Sequence, residues 1–419
     1  HIPGDEIFKL YDTFGFPVDL AEEYAKETGL CLDMEGFNKA MQEQKEKAMA
    51  SWKGSGEKSV APFFNDFMKT GEPTRFLGYD KTLAEGQVLA ILKELKPVDS
   101  ANEGEEVKLL MNQTPFYGES GGQVGDSGIA FNEVAQLDIN NSTKPIPELT
   151  IHHAKITRGV VKGLDTLTLK VAPENRSETA LHHSATHLLH AALKETLGDH
   201  VKQAGSLVTA ERLRFDYTHF SPLSPREKCN IEKRVNEKIR ENLTVLTYEL
   251  PIEEAIKEGA MALFGEKYGA DVRVVSMGGF SKELCGGTHT SATGNIGLFK
   301  ITSEGGISSG IRRIEALAGK AAYLAMQEEN ETLASIRSLL KGSPKEEVNR
   351  IKKLLEKSRE MEKEIARLKE KLASSKESDS ENNTEKIGEI SLLVKQFDGM
   401  DPKTLRSFID SAKNKIKSG

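Results

Sequence analysis

The sequence contains only three cysteines, Cys31, Cys229 and Cys285, and they lie far apart in its 419 residues. A sparse, odd-numbered set of thiols argues against a disulfide framework and favours a reducing compartment. No apolar run approaches the roughly 20 residues that a membrane-spanning helix needs, and the N-terminus lacks the basic-then-apolar layout of a secretory signal. The sequence therefore predicts a cytoplasmic protein without a membrane partner.

Positive charge is not in excess either. The formal net charge is −7, with 57 Lys and Arg against 64 Asp and Glu, so no overall field attracts nucleic acid. Any RNA binding must come from local clusters of Lys and Arg. A GxxxxGK[ST] pattern is missing, so a P-loop nucleotide site is not indicated.

The length suggests two to four domains at roughly 100–200 residues each. The chain begins at His1 rather than Met, and a helical pattern is under way by Ile7. We therefore expect a piece of a longer protein.

The apolar pattern predicts an α+β fold class, beginning with helices over residues 1–70. Asp5 is the expected N-cap of the first helix, and Gly15–Pro17 its end. Two further helices are expected at Asp19–Glu27 and Gly36–Trp52. Residues 71–175 alternate in short strands, which predicts a small β-barrel. These strands are Gln87–Leu95, Glu106–Met111, Gly128–Phe131, Glu148–Ile156 and Thr166–Val171.

Residues 176–317 form a region that opens with a strong helix at Asn175–Leu197 and continues with mixed α/β segments. A long helical stretch, 318–374, then contains the helix Ala318–Leu340, a turn at Lys341–Pro344 and a heptad helix. The two heptad core positions are Ile351, Ser358, Ile365 and Leu372, and Leu354, Met361 and Leu368. This pattern predicts a helical hairpin or coiled coil that supports a homodimer.

The C-terminal part is expected to hold a polar linker at Ser375–Glu385 and a small domain at 386–419. Its strand, Glu389–Phe397, and helix, Asp401–Lys417, form a βα unit too small to bury its own apolar face. We expect it to be a truncated domain.

A glycine-rich loop lies among the predicted barrel strands, at Thr114–Asp126. Gly121 and Gly122, followed by Gln123, lack β-carbons and can let the backbone approach a phosphate or a terminal ribose. The alternative interpretation is a set of barrel turns and bulges. The sequence alone does not choose between a ligand-binding loop and barrel turns.

Histidine and cysteine spacing points to a metal. His183 and His187 are spaced i, i+4 on one helix face, and Cys285 and His289 follow about a hundred residues later. Each pair alone is commonly incidental, but together they supply the four nitrogen and sulfur ligands of a tetrahedral zinc. Four protein ligands favour a structural site, and a catalytic one needs an open position. Spacing leaves that choice open.

The neighbouring histidines have other expected roles. His182 and His190 are expected to pack or to face solvent, since they point away from the ligand pair. Cys31 and Cys229 are expected to be ordinary core or surface residues.

Several runs resemble the alanyl-tRNA synthetase family, and most closely its editing domain. The similarity covers nearly the whole chain. The runs are Leu10–Pro17, Phe116–Gln123, His182–Leu193, Gln203–Val208, Met261–Tyr268, Leu284–His289 and Gly310–Ala316.

The resemblance implies a ligase that couples alanine to tRNA(Ala) in a catalytic core using ATP and Mg²⁺, which would lie upstream of His1. It implies that the present chain hydrolyses mischarged Ser-tRNA or Gly-tRNA. It further implies that 1–70 ends a tRNA-recognition region. By the same resemblance, 71–317 forms the editing domain and 318–374 dimerises.

The resemblance also assigns site residues. It implies that the metal ligands above hold Zn²⁺, that Thr186 recognises the serine hydroxyl and that Gln203 lines the pocket. Contacts with the tRNA end are expected at Gly121, Gly122, Gln123, Arg312 and Arg313. The alternative for Thr186 is a helix hydroxyl bonded to its own turn.

Editing has a simple physical logic. A pocket for alanine cannot exclude glycine and rejects serine only weakly, so a second site that binds the serine hydroxyl restores selectivity. Two rival functions remain. One is a free-standing editing deacylase, and the other is a non-catalytic module in which zinc only stabilises a tRNA-binding and dimerising fold.

Overall fold

A computed structural model describes residues 2–12, 18, 21, 24–25, 28–41, 64, 67–69, 71–94, 96–262, 269–340, 346–378, 384–388, 390–394, 405–406, 409–410 and 413. Several predictions lie wholly or largely outside these residues: the Gly15–Pro17 break, the helix Asp19–Glu27, the second half of Gly36–Trp52, Leu263–Tyr268, the turn Lys341–Pro344 and the helix Asp401–Lys417. The chain divides into two compact units, His1–Met326 and Gln327–Gly419.

The first unit begins with helix α1 and a β-rich region. Helix α1 spans Gly4–Asp12, close to the predicted first helix, and residues 34–41 are also helical. The strands that follow are β1 (Arg75–Phe76), β2 (Leu83–Lys93), β3 (Lys96–Val98), β4 (Ser100–Asn102), β5 (Glu106–Met111), β6 (Gln113–Thr114), β7 (Gly128–Phe131), β8 (Gln136–Ile146), β9 (Leu149–Arg158), β10 (Val160–Lys162) and β11 (Thr166–Val171).

Six of these strands close into an antiparallel barrel, which confirms the predicted small barrel. The sheet order is β11-β7-β8-β9-β5-β2, and β11 pairs again with β2 to complete the circle. Strand alternation explains the inner surface, because Leu167, Leu169 and Val171 are buried while the residues between them are more exposed. Sequence analysis did not predict β8, whose second half, Asn140–Lys144, is polar.

The second half of this unit surrounds one helix. Its elements are α2 (Pro173–Leu197), β12 (Gln203–Val208), β13 (Leu213–Thr218), α3 (Pro225–Arg240), β14 (Val245–Pro251), α4 (Ile252–Lys257), β15 (Asp271–Met277), β16 (Ser281–Leu284), a 3₁₀ turn (Thr293–Ile296), β17 (Phe299–Ser308) and β18 (Ile311–Ala318).

Helix α2 is buried from Thr179 to Leu193 because two sheets and another helix pack around it. A four-stranded sheet in the order β12-β13-β18-β17 contributes Phe215 and Ile314 to the same core, and α3 contributes Ile231. A three-stranded sheet, β14-β15-β16, also packs near it. Side chains on α2 are therefore held firmly, including the polar ones.

The barrel is tied to α2 by a buried ion pair. Arg176, in the first turn of α2, bonds with Asp126 of the glycine-rich loop and donates to the carbonyls of Gly78 and Pro115 at 2.6 and 2.7 Å. Asp126 also accepts from the backbone N–H of Tyr117 at 2.6 Å. These bonds fix the glycine-rich loop against α2.

The second unit is mainly helical. Helix α5 (Gly319–Leu340) enters it, and α6 (Glu347–Ser378) follows; a hairpin, β19 (Thr384–Ile387) and β20 (Ile390–Leu393), comes after. The helix continues four residues into the predicted Ser375–Glu385 linker. Within the predicted strand Glu389–Phe397, β20 forms the second arm of the hairpin.

Heptad side chains of α6 such as Leu354, Met361 and Leu368 are exposed. No helix within the described ranges is long and apolar enough to cross a membrane.

Candidate metal centre

The structure brings together the four residues that the sequence spacing paired. Helix α2 presents His183 and His187, whose rings stack with centroids 5.2 Å apart. The loop after β16 presents Cys285 and His289. One nitrogen or sulfur atom from each of the four residues lies within 4.8 Å of all the others.

The geometry of these atoms fits a zinc ion. Sγ of Cys285 lies 3.4 Å from Nε2 of His183 and 3.3 Å from Nε2 of His289. Tetrahedral Zn–N and Zn–S bonds would place ligand atoms about 3.3–3.6 Å apart. Nε2 of His187 is buried and has no hydrogen-bond partner among the described residues. A metal at the centre of the cluster would give that nitrogen a partner.

The outer nitrogen of each imidazole is held by a different group. Nδ1 of His187 lies 2.9 Å from Oε2 of Glu283, and Nδ1 of His183 lies 2.7 Å from Oε1 of Gln123. Nδ1 of His289 lies 3.3 Å from Oγ of Ser184. Hydrogen bonds of this kind fix the tautomer and direct Nε2 toward the centre, as metal-binding histidines require.

The local electrostatics also suit metal binding. Burial raises the pKa of the Cys285 thiol, but the imidazoles of His183 and His289 outweigh it and hold this pKa well below its usual value. Burial also opposes ionisation of Glu283, yet His187 and His190 hold its pKa below the ordinary range. Burial lowers the pKa of His289 to about 3, which keeps this ring neutral. Burial lowers the pKa of His187, but Glu283 and Cys285 outweigh it and raise this pKa to about 10. A thiolate and neutral imidazoles are the forms that bind zinc, so a zinc ion would displace a proton from this ring.

The cluster opens on a cavity of about 430 Å³. Thr186 and Gln203 line this cavity, as does Gly121 from the glycine-rich loop. The Thr186 hydroxyl donates to the carbonyl of His182 at 2.8 Å, so its oxygen keeps lone pairs for a ligand. The Gln203 amide donates to Oγ of Ser206 at 3.3 Å.

The other residues expected at the tRNA end do not line this cavity. The Gln123 side chain is fully buried, and its oxygen also accepts from the backbone N–H of Thr288 at 2.9 Å. Gly122 has φ +81° and packs so closely on Ser206 that a β-carbon would lie 2.1 Å from Oγ.

The two arginines lie on β18 and are ion-paired. Arg312 pairs with Glu304, and Arg313 forms two hydrogen bonds of 2.7 and 2.8 Å with Asp216. They are not among the described residues that line the cavity.

His182 and His190 are both buried, so the expectation of packing fits them and that of facing solvent does not. Nδ1 of His182 lies 2.9 Å from the carbonyl of Glu178, and its Nε2 accepts from the backbone N–H of Ala318 at 3.1 Å. His190 bonds to Glu283 and lines the cavity.

Sequence analysis missed several residues that support the site, among them Glu283, Arg273 and Tyr79. Glu283 lies two residues before Cys285, and the two-residue period of a strand was the available signal that they share a face. Arg273 donates to the carbonyls of Cys285 and Gly287, both at 2.9 Å, and its guanidinium lies 4.1 Å from the ring centroid of Tyr79. The Tyr79 hydroxyl donates to the Gly286 carbonyl at 2.7 Å. Together Arg273 and Tyr79 fix the loop that carries Cys285.

Comparison with known proteins gives consistent matches. The family described as "tRNA synthetases class II (A)" matches residues 1–175, and "Threonyl and Alanyl tRNA synthetase second additional domain" matches residues 272–315. Proteins named alanine–tRNA ligase from Xanthomonas campestris pv. campestris (strain 8004) and Stenotrophomonas maltophilia (strain K279a) are 45% and 44% identical over 99% of this chain. A protein of the same name from Sphingopyxis alaskensis is 45% identical. The chain spans about half the length of these relatives, 47–48%.

Proposed function

Because the chain belongs to the alanine–tRNA ligase family, we propose that its first unit hydrolyses tRNA(Ala) that carries serine or glycine in error. The observation that carries this proposal is the His and Cys cluster opening on a cavity lined by Thr186 and Gln203. The volume of about 430 Å³ lies in the range of small-ligand sites and suits an aminoacyl ester. Coupling of alanine to tRNA(Ala) with ATP and Mg²⁺ would belong to the longer protein.

The proposed reaction adds water across the ester bond between the amino acid and the terminal ribose, releasing a free amino acid and a ribose hydroxyl. A zinc ion held by the four ligands would supply a positive charge to orient or polarise the aminoacyl group. Gln123, Glu283 and Ser184 hold the imidazoles in place. Thr186 would accept a hydrogen bond from the serine hydroxyl, and Gln203 would contact the amino acid.

The deciding experiment compares hydrolysis of Ser-tRNA(Ala), Gly-tRNA(Ala) and Ala-tRNA(Ala) by the zinc-loaded chain. We expect the first two to be hydrolysed and the third to be spared. If none is hydrolysed at saturating zinc, the non-catalytic module becomes the better interpretation. Removal of the zinc separates a structural from a catalytic metal. If the zinc is purely structural, the domain should unfold without it; if it is catalytic, the domain should stay folded but become inactive.

Thr186→Val tests serine recognition, because valine keeps the shape of threonine and deletes the oxygen. We expect Ser-tRNA hydrolysis to fall about fivefold, from loss of one hydrogen bond of about 1 kcal/mol. Hydrolysis of Gly-tRNA, which has no side-chain hydroxyl, should be unchanged. The measurement is kcat/KM on both substrates at equal zinc content.

Thr179→Val is the matched control, since Thr179 is another buried threonine of α2 and is not among the described residues that line the cavity. Equal losses on Ser-tRNA and Gly-tRNA in the Thr186 variant would assign the hydroxyl a helix-supporting role only.

Self-association through 318–374 is a separate proposal. The exposed Leu354 and Leu368 of α6 are spaced by two heptads, as in a coiled-coil seam. We expect Leu354→Lys combined with Leu368→Lys to abolish association in sedimentation equilibrium. Glu360→Lys, outside the two heptad core positions, should leave it intact. A wild-type chain that stays monomeric at every concentration would contradict the seam.

A further inference from the structure

The cavity face of α2 extends one turn beyond the metal ligands. Four cavity-lining residues follow helical spacing on it: His183, Thr186, His187 and His190. His190 and Thr186 are spaced i, i+4, so they are neighbours on that face. The metal accounts for two members of the row, and serine recognition is proposed for a third. His190 has no part in the function described so far.

One carboxylate holds both His187 and His190. Oε2 of Glu283 lies 2.9 Å from Nδ1 of His187, and Oε1 lies 3.1 Å from Nδ1 of His190. An ionised carboxylate only accepts hydrogen bonds, so each imidazole carries its hydrogen on Nδ1. Nε2 is then the edge of each ring that remains for another partner.

The two rings differ in what their Nε2 atoms meet. Nε2 of His187 faces the other metal ligands, whereas Nε2 of His190 is buried and has no hydrogen-bond partner within the described part of the chain. Buried polar atoms are normally paired, and an orphan of this kind at a cavity calls for a ligand. His190 is only 4% exposed, so its ring is held by packing and not by solvent.

The surroundings indicate where that ligand would lie. His190 and Gln203 line both the main cavity and an adjoining one of about 160 Å³. The aminoacyl group is the part of the substrate expected in this region, since it must reach the metal ligands one turn away.

We propose that His190 is a substrate-binding residue whose Nε2 accepts a hydrogen bond from an O–H or N–H donor of the aminoacyl group. Glu283 thereby has two roles, because it orients a metal ligand with one oxygen and a substrate acceptor with the other. The inference rests on the proposed editing function and adds a recognition residue to it.

Two substitutions test the Nδ1 edge and the Nε2 edge of the His190 ring separately. The amide nitrogen of asparagine can replace Nδ1, so His190→Asn keeps the bond to Glu283 and deletes Nε2. The longer His190→Gln places a polar atom near the position of Nε2. The probe is adenosine that carries a serine through a 3′-amide in place of the ester, which the enzyme cannot readily hydrolyse.

Binding of this probe to the zinc-loaded chain is measured by calorimetry, with zinc content measured alongside. We expect His190→Asn to bind it about tenfold more weakly, as expected for one lost hydrogen bond, and His190→Gln to recover most of the affinity. Zinc content should be unchanged in both variants. The corresponding glycyl probe identifies the donor: a loss with the seryl probe alone indicates the hydroxyl, and a loss with both indicates the amino group.

Unchanged binding of both probes by His190→Asn would overturn the inference, as would loss of zinc from that variant, which would make His190 a support of the metal site. Failure of the proposed function is distinguishable. A wild-type chain that binds the probes but does not hydrolyse Ser-tRNA would overturn the editing proposal and leave the binding role of His190 in place.

Discussion

Cys285→Ala is expected to lose its zinc. The wild-type chain should bind about one zinc ion, and the variant should retain almost none after dialysis against a weak chelator. The thiolate is the anionic member of the ligand set, and three imidazoles alone would hold the ion far less tightly. Loss of a group that only orients a ligand weakens metal binding about 10–100-fold, so loss of a direct ligand should exceed that range. Mass spectrometry gives the number of zinc ions per chain, and a competitive chelator titration gives the zinc affinity.

Cys229→Ala is the matched control, because Cys229 is an exposed free thiol on α3. It should bind zinc like the wild type. Full zinc retention by Cys285→Ala would remove the four-ligand site. Circular dichroism of the zinc-free variant adds a second result, since a folded variant without hydrolytic activity would favour a catalytic metal over a structural one.

The metal ligands could be paired from sequence because their spacing is local. His183 and His187 share a helix face by periodicity, and Cys285 and His289 share one loop. Glu283 and Gln123 could not be placed in the same way, since their contacts with the imidazoles depend on how β16 and the glycine-rich loop meet α2. The expected tRNA-end role of Arg313 came from resemblance, whereas its pairing with Asp216 depends on the register of β13 and β18.

The same difference between local signals and long-range contacts applies to the fold. The strands Glu106–Met111, Gly128–Phe131 and Thr166–Val171 have the predicted bounds, because alternation within a strand is a local signal. Closure of the barrel depends on the pairing of β11 with β2, which are about 80 residues apart. β8 escaped prediction because its polar stretch conceals the buried Leu137 and Ile139.

Arg176→Met should lower the free energy of unfolding of the first unit more than the other substitutions proposed above. Arg176 and Asp126 are both at least nine-tenths buried, and Arg176 also satisfies the carbonyls of Gly78 and Pro115. Methionine fills a similar volume but leaves the Asp126 carboxylate buried without its cation. Breaking a buried pair in this way costs about 3–5 kcal/mol. Calorimetry should therefore record a fall of about 4–7 °C in the melting temperature of the first unit, at an unfolding entropy of about 2.1 cal/mol/K per residue.

The control is Arg212→Met, which breaks the exposed pair of Arg212 with Glu315, 3.2 Å apart, and should cost at most about 1 kcal/mol. The double variant Arg176→Met with Asp126→Leu removes both charges and should recover part of the loss, because the unpaired carboxylate is its main source. The backbone N–H of Tyr117 loses its acceptor in the double variant, so recovery should be incomplete. Equal losses for Arg176→Met and Arg212→Met would mean that burial adds nothing to this pair.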